Sequence, residues 1–225
     1  DYYASRGLGD VYKRQAAICE EWLERDKVLS GRQKDAIRQY VRMHTDKPEE
    51  LYQIYHAMIR GENYKAETLE VLMEEGQPVI KIAGNEIRAA FEQLKDFVQK
   101  LILLTERTLP LGSVVEVDIR ELKLETEKPV SSIKAVIVDR FMKKETEKQY
   151  VPYCGIIYPF GDSKKQLFFT EQAIHTVIHY GYTDRQEDAY VALIKREIIK
   201  KGYSSYSFAE AEDDKIRMLQ SDINL

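Results

Sequence analysis

Leu109-Pro110-Leu111-Gly112-Ser113-Val114-Val115 opens the stretch that decides the fold, and Gly181-Tyr182-Thr183-Asp184 closes it. Pro110 ends a preceding helix, and Gly112-Ser113 turns the chain into a strand. Apolar and polar residues then alternate from Val114 to Glu125, with a phase slip near Glu121, which is typical of a half-buried strand. The stretch therefore begins a sheet rather than a helix.

Four more strands are predicted in the same stretch, at residues 133–142, 150–158, 166–169 and 176–182. Pro152 cannot donate to a ladder, so the third of these strands is expected to have an edge or a bulge there. Pro159-Phe160-Gly161-Asp162 fits a type I turn. Together the strands predict a small, mainly antiparallel sheet that is able to close toward a barrel.

Several motifs in this stretch resemble domain-of-unknown-function family 4176 (DUF4176). Residues 109–115 resemble its opening motif, LPIGSVV, and residues 136–140 are similar to its MIIGR motif. Residues 153–161 look like its YxGVxYPEG motif, with Phe160 at a usually acidic position and Asp139 at a usual Gly. The resemblance covers residues 109–184.

The resemblance implies a protein of Gram-positive bacteria, often encoded beside type VII secretion loci and their toxins. It implies no catalytic residue, because none is established for the family. Fold and function outside residues 109–184 have to be inferred from the residues themselves.

Residues 16–108 are predicted to form a helical region. Apolar residues recur at helical spacing, and the expected helices begin near Ala16, Arg32, Asp46, Lys65 and Asn85. Pro78 to Ile82 fit either a short strand or an approach to a helix. The helix from Asn85 has the longest apolar stripe, which suits bundle packing or a contact with a partner. With C-terminal helices over residues 185–225, the fold class is α+β.

The first fifteen residues are interpreted differently. The string from Ser5 to Gln15 resembles a translated sequencing-adapter artefact, and the chain does not begin with Met. Residues 1–15 are therefore expected to be non-native and are left out of the fold prediction.

Composition excludes some functional classes. The 225 residues are 44% hydrophobic and 32% charged, as in a globular protein, and the net charge of −4 disfavours nucleic-acid binding. The two cysteines, Cys19 and Cys154, are far apart, which favours a reducing compartment such as the cytoplasm. No apolar run reaches the roughly 18 residues of a membrane span.

Few residues are candidates for chemistry. His175 and His179 are four residues apart, which on a helix would place both imidazoles on one face for a metal. A strand is the preferred assignment there, and a metal-dependent enzyme centred on this pair is an alternative only. Cys154 is interpreted as a buried strand residue rather than a nucleophile. No catalytic residue, metal ligand or cofactor is assigned.

The leading hypothesis is a non-enzymatic accessory protein that binds a protein partner as chaperone, adaptor or immunity factor linked to type VII secretion, the partner being a toxin or a secretion component. The candidate binding face is aromatic, because aromatic residues concentrate in interface cores. It comprises Tyr150, Tyr153, Tyr158, Tyr180 and Tyr182. Tyr206 and Glu210 match the spacing of a type VII export signal, which keeps a secreted protein as another alternative.

Overall fold

The chain divides into two compact units. The first comprises residues 1–108 and 188–200, and the second comprises residues 109–187 and 201–225. A computed structural model describes residues 2–118, 131–144, 146, 148–162 and 164–206, with side chains described from residue 13 onward. Each unit contains a sheet of its own, so the predicted α+β class is confirmed.

Residues 2–108 of the first unit contain four helices, α1 (Tyr2–Arg25), α2 (Gly31–Met43), α3 (Glu49–Arg60) and α4 (Phe91–Thr105). Ser30 begins α2 with a capping box, in which the Gln33 side chain accepts the Ser30 N–H. The helix expected to begin near Asp46 begins later, because Pro48 stands at the N-cap position of α3. Asp46 instead has φ 60° and donates its N–H to the Thr105 carbonyl at 2.6 Å.

The first unit also contains a four-stranded antiparallel sheet that the sequence analysis did not predict. Its strands are paired in chain order, and they are β1 (Tyr64–Lys65), β2 (Leu69–Glu74), β3 (Gln77–Ile82) and β4 (Asn85–Ile87). The helix predicted from Lys65 to Glu75 is therefore wrong, and the ambiguous segment at 78–82 is a strand.

Two-residue turns explain why this region is a meander rather than a helix. Glu75-Gly76 joins Glu74 to its partner Gln77, and Ala83-Gly84 joins Ile82 to Asn85. All four turn residues have positive φ, between 47° and 79°, which is the type I′ geometry that matches strand twist. Glycine at the second turn position makes this conformation accessible, and that was the sequence signal for the two hairpins.

The long helix predicted from Asn85 is α4, and it begins six residues later, at Phe91. Residues Asn85–Ile87 form β4, so the buried Ile87 is a strand residue rather than a helix residue. The rest of the predicted stripe is confirmed, because Leu94, Val98 and Leu101 are buried. Burial of this stripe favours the packing alternative over an exposed partner-binding helix.

The second unit contains a six-stranded sheet. Its strands are β5 (Val114–Asp118), β6 (Ser132–Lys144), β7 (Gln149–Ile157), β8 (Gln166–Phe169), β9 (Ile174–His179) and β10 (Ser204–Ser205). The order is β10-β7-β6-β5-β9, with β8 also paired to β7, and only the β10–β7 pair is parallel. The predicted, mainly antiparallel sheet is therefore confirmed; residues 119–125 of its first strand lie outside the described residues.

Pro152 lies where a strand can tolerate a missing donor. On one side of β7, β8 pairs with residues 153–156 and β10 with residues 149–150, so Pro152 falls in the gap between them. On the other side the ladder skips Phe141, which has φ 53°. The predicted edge position of Pro152 is confirmed, and β6 itself carries a bulge between Ile137 and Asp139.

The sheet of the second unit must curl. β8 and β9 lie on opposite sides of the β7-β6-β5 core, so four interstrand steps separate them, or about 19 Å in a flat sheet. The chain from Phe169 to Ile174 covers five residue steps, which reach at most about 18 Å. Curvature brings the two strands within reach of this link, but β8 and β9 do not pair, so the sheet stops short of a closed barrel.

The concave side of this sheet holds the core. It includes the inward-facing residues of β5, β6 and β7 and the buried Ala173 of the link before β9. Its buried members are Leu109, Val115, Val117, Ala135, Ile137, Tyr153, Ile157, Leu167, Phe169 and Ala173. This core packs beneath the backbone of residues 109–115 and 136–140, which carry two of the sequence motifs.

Helix α5 (Arg185–Lys201) follows β9, and its residues 188–200 belong to the first unit. Of the apolar residues of α5, Ile198 is buried whereas Tyr190 and Leu193 are exposed. The helix predicted at residues 208–219 lies outside the described residues. Among the helices that the structure does describe, none has the length and apolar character needed to cross a membrane.

Candidate functional site

Residues 109–115, residues 136–140 and the segment that follows β9 meet at one end of the sheet of the second unit. The Gly112 N–H donates to the Ile137 carbonyl at 2.8 Å, and the Ile137 N–H donates to the Ser113 carbonyl at 2.9 Å. These bonds extend the β5–β6 ladder past Val114. The segment after β9 joins them through Gly181, whose N–H donates to Ser113 Oγ at 3.0 Å.

Gly181 lies too close to the neighbouring backbone for any other residue. A Cβ atom at this position would be 2.0 Å from the Leu111 carbonyl oxygen and 2.9 Å from the Ser113 nitrogen. Backbone atoms cannot yield to that contact as the end of a flexible side chain can. We call the contact of residues 111–113 with Ile137 and Gly181 the junction, and glycine at residue 181 is a steric requirement of it.

The buried Ser113 side chain hydrogen-bonds to two of the backbone segments that meet here. This side chain is fully buried, and its hydroxyl donates to the Pro110 carbonyl at 2.7 Å while accepting the Gly181 N–H. One hydroxyl thus satisfies two backbone groups, and it joins Ser113 to Gly181, which is 68 residues away in the chain. Buried polar groups need such partners, so this serine has a structural role rather than that of a nucleophile.

Arg140 fastens the start of α5 to the same end of the sheet. Its guanidinium is buried, donates to the Leu109 carbonyl at 3.1 Å, and forms a two-pronged ion pair with Glu187. Asp139 Oδ1 accepts the Arg140 N–H at 2.7 Å, next to the bulge in β6. Asp184 caps α5 by accepting the N–H groups of Gln186 and Glu187, while the Glu187 side chain binds Arg140.

Large apolar side chains are exposed around this rigid junction. Their exposed fractions range from 38% to 82%, and they come from β6, from the segment before β5 and from β9 with the residues after it. We call this set the end patch, and it consists of Leu111, Val138, Ile178, Tyr180 and Tyr182. Exposed apolar residues that cluster on a firm backbone are typical of protein-binding surfaces.

The five tyrosines predicted as one binding face are not on one face. Tyr150 and Tyr153 are buried, so their assignment to an exposed face is wrong. Tyr153 packs against Phe169, with ring centroids 5.7 Å apart, and its hydroxyl accepts the Leu109 N–H at 3.0 Å. Tyr158 is exposed in the β7–β8 turn, and only Tyr180 and Tyr182 belong to the end patch.

Three members of the end patch were missed from the sequence, namely Leu111, Val138 and Ile178. Each is an aliphatic residue in an apolar run, a pattern that predicts a buried core residue. Val138 and Ile178 are exposed next to irregularities of their strands, because β6 has a bulge at Val138 and Ile178 has no direct partner on β5. A phase slip of this kind was visible only once the register was known.

His175 and His179 do not form a chelating pair. Both are exposed residues of β9, and four steps along a strand separate their Cα atoms by about 13 Å. The helical spacing that motivated the metal-dependent enzyme therefore does not apply here. Within the described ranges, no group of three or more His, Cys, Asp or Glu residues is arranged to hold a metal ion.

Both cysteines are buried and free. Burial raises the pKa of the Cys154 thiol to about 11, helped by the nearby Asp139 carboxylate. Burial likewise raises the pKa of Cys19 to about 12, with Glu20 adding to the effect. Neutral thiols at physiological pH are poor nucleophiles, which agrees with the packing role predicted for Cys154.

A second buried polar cluster lies in the first unit, at the C-terminal end of α4. The Lys195 ammonium is buried and donates to the Glu106 carbonyl at 2.5 Å, where it complements the helix dipole. Tyr52 donates to the Glu106 carboxylate at 2.8 Å. Burial raises the pKa of the nearby Asp46 carboxyl, against the opposing effect of Arg107 and Lys195. These contacts explain why α5 buries a lysine there.

The proposed export signal includes a buried residue. Tyr206 is 4% exposed, and Glu210 lies outside the described residues. A recognition signal has to be accessible to its receptor, so the tyrosine does not favour this alternative.

Neither the curated proteins nor the solved structures include a match to this chain. A family model does match: residues 108–190 fit the Domain of unknown function (DUF4176). The matched range holds the Ser113 junction, the Arg140–Glu187 ion pair and all five residues of the end patch. Residues 108–190, which include residues 109–187 of the second unit, are thus similar to DUF4176.

Proposed function

We propose that this chain is a non-enzymatic, cytoplasmic accessory protein that binds a protein partner through the end patch. The observation that carries the proposal is the exposure of five large apolar side chains on a backbone locked by Ser113 and Gly181. A rigid, preorganised surface loses little conformational entropy on binding, so its apolar contacts contribute fully to affinity.

The kind of partner follows from the DUF4176 resemblance. Its implied setting beside type VII secretion loci favours a toxin or a secretion component as partner, with this chain acting as chaperone, adaptor or immunity factor. Such roles require recognition without chemistry. The described catalytic candidates agree with that, since Cys154 is a buried neutral thiol and the two histidines are far apart.

The test is co-purification of the full chain with proteins encoded beside it, followed by a patch variant. Leu111→Ser combined with Tyr182→Ser removes two exposed apolar anchors and is expected to weaken the complex roughly tenfold or more. Val28→Ser is the matched control, because Val28 is 82% exposed but lies in the first unit. A partner that binds the patch variant as well as the control, or the absence of any stoichiometric partner, would contradict the proposal.

A further inference from the structure

Among the strands that the structure describes, β9 ends the sheet of the second unit with one edge unpaired. One edge of β9 pairs with β5, and among the described residues no strand pairs with the other edge. Such an edge presents backbone N–H and C=O groups in a row. The ligand whose chemistry complements such a row is another extended peptide segment.

β9 carries few of the features that usually protect a strand edge. Its sequence, Ile174-His175-Thr176-Val177-Ile178-His179, contains neither lysine nor proline. Its protection is limited to two irregularities, where His175 and Ile178 have no direct partner on β5. Bulges interrupt regular pairing locally, so the edge suits a short partner strand of about four residues.

The same strand leads directly into the end patch. Ile178 belongs to β9, and Tyr180 and Tyr182 follow it at alternating positions. We propose that the partner contributes a short extended segment that pairs with the unpaired edge of β9 and packs its apolar side chains on the end patch. This inference rests on the proposed function and specifies that the bound segment is a strand rather than a helix.

The test uses a displayed library of short linear peptides selected on the full chain. Hydrogen exchange of the β9 amides is expected to slow roughly tenfold when an enriched peptide binds, while the amides of β2 and β3 stay unchanged. Methylating alternate backbone nitrogens of the peptide is expected to weaken binding roughly tenfold, because it removes the ladder donors. Ile178→Lys, which places a charge on the edge, is expected to weaken binding similarly, whereas Val28→Lys is the control.

The remaining outcomes separate the inference from the proposed function. Peptides that bind the patch and tolerate N-methylation, without slower exchange in β9, would overturn strand pairing and leave the proposed function standing. Slower exchange in β9 at high protein concentration without peptide would overturn it in favour of a second copy of the chain. If Ile178→Lys weakens the binding of none of the selected peptides, the inference is overturned. If the double variant Leu111→Ser and Tyr182→Ser also binds the peptides as tightly as the parent chain, the end patch itself is not the binding site.

Discussion

The sheets of the two units place their charged and apolar side chains in opposite ways. Ion pairs cover one face of the first sheet, with Lys81 bound to Glu86 at 3.0 Å and Arg88 bound to Glu74 at 2.7 Å. In the second unit, Leu111, Val138 and Ile178 remain exposed beside two tyrosines. The first sheet thus presents polar groups that already have partners, whereas the second presents apolar groups that would gain from one.

The two sheets also differ in how they are connected. The first is a meander over residues 64–87, whose strands are joined by tight turns. The second joins segments that are distant in the chain, as in the 68-residue separation of Ser113 and Gly181. Non-local junctions depend on single residues that fit in one way, so substitutions there are expected to have larger effects than in the meander.

The largest effect is expected at Gly181. Gly181→Ala forces a Cβ against the Leu111 carbonyl, so the free energy of unfolding is expected to fall by about 3 kcal/mol or more. Urea unfolding of the full chain measures this. Gly31→Ala is the matched control, since a Cβ there meets nothing within 4 Å. Equal stability of the two variants would show that the close approach at Gly181 is wrong.

The next largest effect is expected from Glu187→Ala. It leaves the buried Arg140 guanidinium without its carboxylate, which is expected to cost about 3 kcal/mol. Glu92→Ala is the comparison, because the Glu92 side chain is 78% exposed and its pair with Lys95 is expected to contribute less than about 1 kcal/mol. Thermal unfolding of both variants at the same salt concentration decides whether burial separates these two ion pairs.

A smaller effect is expected from Ser113→Ala. It removes the partner of both the Gly181 N–H and the Pro110 carbonyl, and the expected loss of stability is about 1–2 kcal/mol. Ser131→Ala, at an exposed serine just before β6, is expected to change stability by less than about 0.5 kcal/mol. A neutral Ser113→Ala would mean that the junction does not depend on this hydroxyl.

The smallest effect at neutral pH concerns the cysteines. Because burial raises the pKa of Cys154 to about 11, the folded state keeps this proton above the ordinary thiol pKa, while the unfolded state loses it. Stability from this group is therefore complete below about pH 9 and declines as pH rises toward 11. Unfolding of Cys154→Ala and the parent across this range should converge as pH rises; parallel curves would contradict the burial of the thiol.

Prediction from sequence succeeded where local patterns are long and regular. The strands of the second unit alternate or are rich in β-branched residues, and Gln166–Phe169 was placed with the bounds that the structure has. It failed at residues 64–87, because short apolar runs fit a helix or a strand equally well, and the two Gly-containing turns were not recognised. The boundary at Asn85 moved for the same reason, whereas Asp46 lies outside α3 because its N–H donates to the Thr105 carbonyl.

The candidate site was harder to predict than the fold. Tyr180 and Tyr182 were identified, but Tyr150 and Tyr153 are buried, although all four lie in segments predicted as strands. Strand alternation says which residues share a face, not which face is covered, and a bulge such as that at Val138 changes the face from that point on.

The sequence by itself determined the α+β class, strands β5 to β9 of the second unit and the resemblance of residues 109–184 to DUF4176, because these depend on residue patterns within short windows; β10 was not predicted. Only the tertiary structure decided the curl of the sheet, the pairing of Arg140 with Glu187, the close approach at Gly181 and the exposure of the end patch. These features join residues tens of positions apart, and packing rather than local propensity determines which of them meet.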